Sequence, residues 1–262
     1  MNLKEITDKV VTLSLECGAF IRKEAETFDY EHVELKGKND LVSYVDKETE
    51  KMMVEELKHI LPEAGFITEE GTVKESDEAQ YKWIIDPLDG TTNFIHGLPI
   101  YSTSIALTKG KEIVLGVVYD VGRNDCFYAY KDGGAFCNDK QIHVSNLPTL
   151  GDSLLATGFP YYDFERMSEY QAILIDLMQN AHGLRRLGSA AIDLVYVGLG
   201  RYEGYFEYNL NPWDIAAGAL IVQEAGGTVT DFSGGDNFMF GREILAANTI
   251  HAEMLAIIKK HW

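Results

Sequence analysis

The segment from Trp83 to Phe94 constrains this chain more than any other, because an apolar run leads directly into two carboxylates, a glycine and two hydroxyls. The apolar run is typical of a buried strand. Pro87 has no N–H to donate and is expected to end the ladder of that strand, with Asp86 and Asp89 projecting close together beyond it. Neighbouring carboxylates repel each other unless a cation lies between them. The segment therefore predicts a cation site at the end of a strand.

The residues that follow this acidic pair suit an anion. Gly90 lets the backbone approach a ligand closely, and Thr91, Thr92 and Asn93 are residue types that favour a helix N-terminus. The N–H groups of a first helical turn can receive phosphate oxygens. The segment alone leaves one alternative open, which is a surface turn with solvated carboxylates.

Two further acidic elements lie far from this segment in the sequence. Glu69 and Glu70 lie in the segment Gly65–Gly71, and Asp214 ends the segment Asn211–Asp214 at the start of a helix rich in small residues. Three separated acidic elements suit a cage for more than one metal ion. The three cysteines and seven histidines show no C-x-x-C, H-x-x-x-H or H-E-x-x-H spacing. This argues against a disulfide framework or a zinc site and favours oxygen ligands, which suit Mg²⁺.

Charge and composition bound the partners. The chain has 41 acidic and 23 basic residues and a formal charge of −18, so nucleic acid and anionic membranes are not expected as main partners. No apolar run reaches the roughly 18 residues of a membrane span, and the N-terminus lacks the apolar stretch of a signal peptide. The expectation is a folded cytoplasmic protein with one domain or two closely joined halves.

Hydrophobic spacing predicts two helices and then a sheet in the first half of the chain. The first helix extends from Leu3 to Phe20, and the second from Asp46 to Ile60, where Pro62 stops it. The strand patterns that follow are Gly65–Thr68, Lys82–Ile85, Tyr101–Thr108, Ile113–Asp120 and Cys126–Tyr130. These strands are expected to form one largely antiparallel sheet.

The second half alternates strands and helices, which is typical of α/β architecture. The predicted strands are Ser153–Thr157, Gly183–Leu187, Gly204–Glu207, Thr228–Asp231 and Arg242–Ala247. The predicted helices are Met167–Gln179, Ser189–Val197, Ile215–Glu224 and one that starts at His251. The segment Ser145–Pro148 is the expected junction within a single catalytic unit, 1–262. Its approximate halves are 1–146, with the metal and phosphate motifs, and 147–262, with the substrate-side residues and Asp214.

Three motifs taken together closely resemble the inositol monophosphatase family of Mg²⁺-dependent, lithium-sensitive phosphatases. They are Gly65–Glu70, Trp83–Phe94 and Pro212–Gly218, the last followed by Glu224–Gly227. They occur in the family's order and at its spacing, over nearly the whole chain. The resemblance implies a layered αβαβα sandwich that mixes α+β and α/β features, and a homodimer.

The resemblance also implies a set of metal ligands. Glu69, Asp86 and the Leu88 carbonyl would hold a first Mg²⁺, and Asp86, Asp89 and Asp214 would hold a second. Glu69, with waters, would hold a weaker third ion, so two to three Mg²⁺ per site are expected. One ion is expected to activate a water, and the other to neutralise the phosphate and the leaving oxygen.

Water activation falls, by the same resemblance, on Thr91 and Asp46, together with Glu69. Asp46 has a helix N-cap as its other role, and both roles can coexist in one residue. Lys36 matches a family lysine near the metal-bound water. Glu70 resembles an outer partner of the metal, with a plain surface acid as its alternative.

The residues implied on the substrate side are Asp89, Gly90, Thr91, Gly188, Ser189, Ala190, Glu207 and Asp214. The N–H groups of Gly90 and Thr91 would receive phosphate oxygens. Glu207 would accept hydrogen bonds from two vicinal hydroxyls of inositol or a sugar-like alcohol, with a strand-end surface charge as its alternative. Arg185 and Arg186 would bind a second phosphate or pair with acids at a subunit contact, and position 185 resembles an interface position.

These expectations converge on a Mg²⁺-dependent phosphomonoesterase, inhibited by lithium, that acts on myo-inositol 1-phosphate or a related polyol or sugar phosphate. Fructose 1,6-bisphosphatase and histidinol phosphatase share the same metal residues and stay open as alternatives. The segment Tyr208–Pro212 departs from the animal enzymes and is closer to bacterial members, which weakens any claim of strict inositol specificity. A different class of function also stays open, namely a regulatory protein that acts through protein contacts, as some bacterial members are thought to do with the transcription machinery.

Overall fold

The structure is a computed structural model. The residues that it describes are 1–28, 33–37, 40–74, 79–161 and 163–262, with the backbone alone described for 33–37 and 40–42. The side chain of Lys36, which the resemblance placed near a metal-bound water, lies outside the described side chains. In the described part of the chain, no helix combines the length and the apolar character needed to cross a membrane.

The first half of the chain contains a short hairpin and a seven-stranded sheet. The hairpin pairs β1 (Val33–Gly37) with β2 (Asp40–Ser43). The strands of the sheet, in spatial order, are β3 (Gly65–Thr68), β4 (Tyr81–Asp89), β5 (Ser102–Lys109), β6 (Glu112–Asp120), β7 (Asp125–Tyr130), β8 (Ala135–Cys137) and β9 (Lys140–Ile142). β3 and β4 are parallel, and every later pair is antiparallel. The predicted largely antiparallel sheet is confirmed.

A five-stranded sheet follows. Its strands, in chain order, are β10 (Leu154–Thr157), β11 (Gly183–Arg185), β12 (Gly204–Tyr208), β13 (Thr228–Thr230) and β14 (Glu243–Ala247). Their spatial order is β11-β10-β12-β14-β13. β10 is parallel to both of its neighbours, whereas β14 is antiparallel to β12 and β13. The predicted alternation of strands and helices is therefore confirmed as a mixed sheet.

Helices cover and separate the two sheets. They are α1 (Leu3–Ala25), α2 (Tyr44–Ile60), α3 (Thr91–Ile95), α4 (Met167–Asn180), α5 (Ala190–Gly198), α6 (Pro212–Glu224), α7 (Phe238–Gly241) and α8 (His251–His261). α1 and α2 pack on one face of the seven-stranded sheet, and α5 and α6 lie between the two sheets. α4 and α8 cover the outer face of the five-stranded sheet. This order of layers confirms the expected αβαβα sandwich.

The central pair of helices packs unusually closely, and glycines make this approach feasible. A Cβ on Gly218 of α6 would lie 2.6 Å from Leu194 Cβ of α5, and one on Gly116 of β6 would lie 2.7 Å from the Ala217 carbonyl oxygen. All side chains of α6 from Ile215 to Val222 are buried. The first turn of α6 is thereby fixed between the sheets. Helix α6 contacts strands of both sheets. The single catalytic unit, 1–262, and its division near residue 146 stay predictions.

Strand β4 continues past Pro87, so the expectation that Pro87 ends the ladder is wrong. Asp86 pairs with Ser104 and Asp89 pairs with Ser102, so one extra residue of β4 faces β5 between these two pairs. Such an extra residue defines a β-bulge, where a proline is tolerated because its missing N–H is not needed.

Candidate active site

The bulge in β4 explains why two aspartates three positions apart line the same cavity. In a regular strand, side chains alternate between faces, so residues i and i+3 point to opposite sides. The extra residue between Asp86 and Asp89 interrupts this alternation, so the Asp89 side chain lies on the same side of the strand as Asp86. The close acidic pair expected from the sequence is therefore produced by a bulge in the last residues of β4.

These two carboxylates line a cavity of about 310 Å³, a size that suits a small ligand. Six acidic residues line it: Glu69, Asp86, Asp89, Asp193, Glu207 and Asp214. The other predicted site residues in its wall are Leu88, Gly90, Thr91, Gly188, Ser189 and Ala190. The structure thus brings together the predicted residues of both chain halves, and their individual roles stay predictions.

Asp46 lies beneath the cavity wall and contacts it through Thr91. The Asp46 side chain is 1% exposed, and its Oδ2 atom accepts hydrogen bonds from the Ser43 N–H and hydroxyl at 2.9 and 2.6 Å. Its Oδ1 atom lies 2.8 Å from the Thr91 hydroxyl, which also lies 3.0 Å from the Leu88 carbonyl oxygen. Asp46 therefore closes a capping box at the start of α2 and also orients Thr91. Burial raises the pKa of the Asp46 carboxyl.

Gly90 and the short helix α3 form the wall beside Asp89. Gly90 has a φ of 98°, and a Cβ there would lie 2.9 Å from the Ile100 carbonyl oxygen. Glycine is the residue that fits this left-handed backbone and close approach. Helix α3 begins at the next residue, Thr91, so the first-turn N–H groups of a helix lie next to the acidic pair.

Asp89 is held by the N-terminus of α5. Its Oδ2 atom accepts hydrogen bonds from the Ser189 hydroxyl at 2.6 Å and from the Ala191 N–H at 2.7 Å. Burial raises the pKa of the Asp89 carboxyl to about 6, against the lowering effect of these donors. Ser189 also caps α5 by accepting from the Ile192 N–H at 3.3 Å. The Asp89 carboxylate therefore links strand β4 to the N-terminus of helix α5.

Asp86 and Asp214, two acids of the predicted metal set, both have a pKa raised well above its usual range. Burial raises the pKa of Asp86 well above its usual range, and the charges of Glu69, Asp89 and Asp214 raise it further. Burial likewise raises the pKa of Asp214, followed by the charge of Asp89. Backbone N–H groups orient both side chains, since Leu88 donates to Asp86 at 2.9 Å and Asn211 donates to Asp214 at 2.6 Å.

This donor set fits a hard cation. Buried carboxylates that raise one another's pKa gain most from a positive charge among them, and carboxylate and carbonyl oxygens are the ligands that Mg²⁺ prefers. Among the residues that the structure describes, no group of three Asp, Glu, His or Cys side chains is placed so that it could hold a metal ion. Asp86 and Glu69 instead share a side-chain hydrogen bond. Binding of a cation would therefore require these side chains to reorient.

Glu50 is a buried acid next to the site that the sequence analysis missed. It is fully buried on α2, and its two carboxylate oxygens accept hydrogen bonds from the N–H groups of Glu70 and Thr72, both at 2.7 Å. It thereby fixes the loop that carries Glu69. One signal could have revealed it, because Glu50 lies three residues before Met53 and so occupies the apolar stripe of its helix.

The substrate side of the cavity contains a second acid besides the predicted Glu207. Glu207 is 8% exposed, accepts a hydrogen bond from the Tyr205 hydroxyl, and has a pKa raised to about 7 by burial. A Cβ at Gly158 would lie 2.0 Å from its Oε2 atom, so a glycine makes room for this carboxylate. Asp193 of α5, which the sequence analysis missed, is 1% exposed and lines the same cavity.

The two arginines of the sequence analysis take different positions. Arg186 lines the cavity, lies over the rings of Phe159 and Tyr161, and donates to the Tyr161 hydroxyl at 3.0 Å. Arg185 is exposed and donates to the Leu184 carbonyl oxygen at 3.0 Å. The interface role of Arg185 stays a prediction.

Comparison with known proteins identifies the family and structures with a similar fold. The sequence model of the inositol monophosphatase family matches residues 2–262. A Nus factor SuhB of Escherichia coli (strain K12) is 42% identical over 238 residues, which cover 91% of this chain and 89% of that protein. An inositol-1-monophosphatase of Mesorhizobium japonicum is 37% identical over 252 residues, which cover 96% and 95%. The crystal structure of extragenic suppressor protein SuhB from Bartonella henselae has a TM-score of 0.92 at 37% identity and covers 98% of this chain and 100% of that chain.

Proposed function

Because the chain belongs to the inositol monophosphatase family, we propose that it is a Mg²⁺-dependent phosphomonoesterase. Its substrate would be myo-inositol 1-phosphate or a related polyol phosphate, cleaved to the alcohol and inorganic phosphate. One observation carries this proposal: carboxylates from three distant segments line one cavity, next to a threonine that a buried aspartate orients.

The metal would be held by Glu69, Asp86, the Leu88 carbonyl, Asp89 and Asp214, as two to three Mg²⁺ ions. When bound, these ions would lower the pKa of a water and neutralise charge on the phosphate and on the leaving oxygen. The donor set supports this assignment because each carboxylate is buried or half-buried against others of the same sign.

Thr91 and Asp46 would prepare the attacking water. With its proton directed to Asp46 Oδ1 at 2.8 Å, the Thr91 oxygen is left as an acceptor for a water hydrogen. The Ser43 donors hold Asp46 in place, so the Thr91 hydroxyl is oriented before substrate arrives. This arrangement supports general-base assistance with no covalent phosphoenzyme.

The substrate would be oriented from both sides of the cavity. The N–H groups of Gly90 and Thr91 would receive phosphate oxygens. Asp89, held by Ser189 and Ala191, would be fixed between metal and substrate. Glu207, a pure acceptor when ionised, would bind hydroxyls of the alcohol, with Gly188 and Ala190 in the adjoining wall.

Phosphate release by the purified protein tests this proposal. The assay compares inositol 1-phosphate, fructose 1,6-bisphosphate, histidinol phosphate and 3′-phosphoadenosine 5′-phosphate, each with Mg²⁺ and with EDTA. Preferred hydrolysis of inositol 1-phosphate, abolished by EDTA and inhibited by lithium, is expected. Faster hydrolysis of another ester would reassign the substrate, and no hydrolysis of any ester by folded protein would contradict the proposal.

The relatives named Nus factor SuhB favour a second candidate function, which is a regulatory role through protein contacts in a homodimer. The acidic cavity supports retained catalysis beside any such role, because a cluster of buried carboxylates is costly to keep without a cation. Asp86→Asn separates the two functions, because it removes a metal ligand inside the cavity and changes no exposed surface. Complementation of a strain lacking this protein by Asp86→Asn would support the regulatory role, and failure to complement would support catalysis as the essential function.

A further inference from the structure

One carboxylate in the cavity has no task in the proposed mechanism. Asp193 lies in the first turns of α5, three residues after Ala190, and is 1% exposed. Its Oδ1 atom has no hydrogen-bond partner within the described ranges of the chain. Buried polar atoms are nearly always paired, and a buried carboxylate oxygen without a donor is costly. Asp193 therefore combines a place in the cavity wall with a buried carboxyl oxygen that has no donor.

The charged groups around Asp193 do not fill this acceptor. Burial raises the pKa of its carboxyl most, Glu207 and Asp89 raise it further, and Arg186 lowers it. Arg186 is the cation that lowers the pKa of Asp193, yet it donates its hydrogen bond to the Tyr161 hydroxyl. Because Asp193 lines the cavity, a donor that binds there is in place to pair with this carboxyl.

A hydroxyl is the donor that fits this place. The other acids of the cavity wall comprise the four predicted metal ligands and Glu207, which already accepts from Tyr205 on its Oε2 atom. Asp193 of α5 and Glu207 of β12 line the same cavity, so their carboxyl groups offer two sets of acceptors. Hydroxyl groups on adjacent carbons of an alcohol are donors that match such acceptors.

Resting on the proposed function, we infer that Asp193 is a second residue that reads the alcohol part of the substrate. Its carboxyl oxygen accepts a hydrogen bond from a substrate hydroxyl, next to the hydroxyls bound by Glu207. The site then selects phosphate esters of polyhydroxy alcohols, because an ester without these hydroxyls leaves the Asp193 oxygen unpaired in the complex.

Two substitutions and two esters test this inference. Asp193→Leu is close in size and cannot accept a hydrogen bond, whereas Asp193→Asn retains one neutral acceptor; Asp8→Asn on the exposed surface of α1 is the control. Inositol 1-phosphate carries ring hydroxyls, and 4-nitrophenyl phosphate carries none. For inositol 1-phosphate we expect kcat/KM to fall about 30-fold in Asp193→Leu and about 5-fold in Asp193→Asn, mainly through KM. For 4-nitrophenyl phosphate, all variants should stay within about 2-fold of the wild type.

Each contrary outcome has a distinct meaning. An equal loss on both esters would assign Asp193 a structural role and overturn the inference, and so would unchanged kinetics on both. Thermal unfolding provides a second readout, because removal of an unpaired buried carboxylate should leave the melting temperature equal or higher. A wild-type protein that hydrolyses neither ester with Mg²⁺ would refute the proposed function itself, whereas failure of the inference alone leaves wild-type hydrolysis intact.

Discussion

Replacing Glu50 with glutamine should weaken both the fold and the response to Mg²⁺. The Glu50 carboxylate accepts two backbone hydrogen bonds at 2.7 Å, from Glu70 and Thr72. In Glu50→Gln, the amide oxygen keeps one N–H partner as a neutral bond, and the amide NH₂ group faces the other N–H. A hydrogen bond to a charged group contributes about 1.5–3 kcal/mol and a neutral one about 1. The expected loss in the free energy of unfolding is therefore about 3 kcal/mol.

The functional part of this prediction concerns Glu69, the residue before Glu70. A loop that has lost its anchor must be ordered again when Glu69 binds a cation, so part of the lost energy appears in Mg²⁺ affinity. We expect the half-saturating Mg²⁺ concentration to rise about 10-fold, with a smaller change in kcat at saturating Mg²⁺. Urea unfolding and phosphate release over a Mg²⁺ series measure the two effects.

The matched control for Glu50→Gln is Glu55→Gln, an exposed position on the same helix, which should change neither quantity. A Glu50→Gln variant within about 0.5 kcal/mol of the wild type would refute the energetic reasoning. A destabilised variant with unchanged Mg²⁺ dependence would show that Glu50 supports the fold and does not position Glu69.

Two other substitutions test separate parts of the site. Gly90→Ala places a Cβ 2.9 Å from a carbonyl oxygen at a φ of 98°, so we expect about 1–3 kcal/mol of destabilisation and a lower kcat, with Gly97→Ala, which has a positive φ and open space, as the control. Glu207 has a folded-state pKa of about 7 against an ordinary value of 4.5, so the native state binds more protons between these values and stability falls as pH rises from 4.5 to 7. Glu207→Gln should remove this fall, so above pH 7 its free energy of unfolding should exceed that of the wild type by up to about 3 kcal/mol. Urea unfolding at pH 5 and pH 8 measures this difference, and an unchanged pH profile would contradict the assignment. Below pH 7 the wild-type Glu207 is largely protonated and accepts fewer hydrogen bonds, so KM for polyol phosphates should rise there.

The cavity could be predicted from the sequence because its acids follow local signals. Asp86 and Asp89 follow an apolar run in the sequence, and Asp214 lies in the first turn of a helix that is rich in small residues. Each of these signals lies within a few residues of the acid, and the fold then brings the acids together in one cavity. Hydrophobic periodicity predicted the longer helices and strands, whereas the αβαβα order of the layers was implied by the family resemblance.

The features that the sequence analysis predicted wrongly or missed depend mostly on contacts between distant parts of the chain. Whether Pro87 ends a strand or lies in a bulge is decided by the register against Ser102 and Ser104 of β5, which no local pattern contains. β8 and β9 were missed because the glycines and aspartates around them favour turns. Glu50 and Asp193 were missed because their importance lies in partners, or in the lack of a partner, contributed by distant segments.

The most direct test of the account compares Mg²⁺-dependent phosphate release from inositol 1-phosphate by wild type and Asp86→Asn, with Asp8→Asn as the surface control. Asp86 is the acid that both predicted metal positions share, and metal stabilisation of the transition state amounts to several kcal/mol. The account predicts a fall in kcat/KM of at least about 1,000-fold for Asp86→Asn, with its fold intact and Asp8→Asn unchanged. Activity of Asp86→Asn within about 10-fold of the wild type would contradict the claim that this cavity catalyses hydrolysis through bound metal.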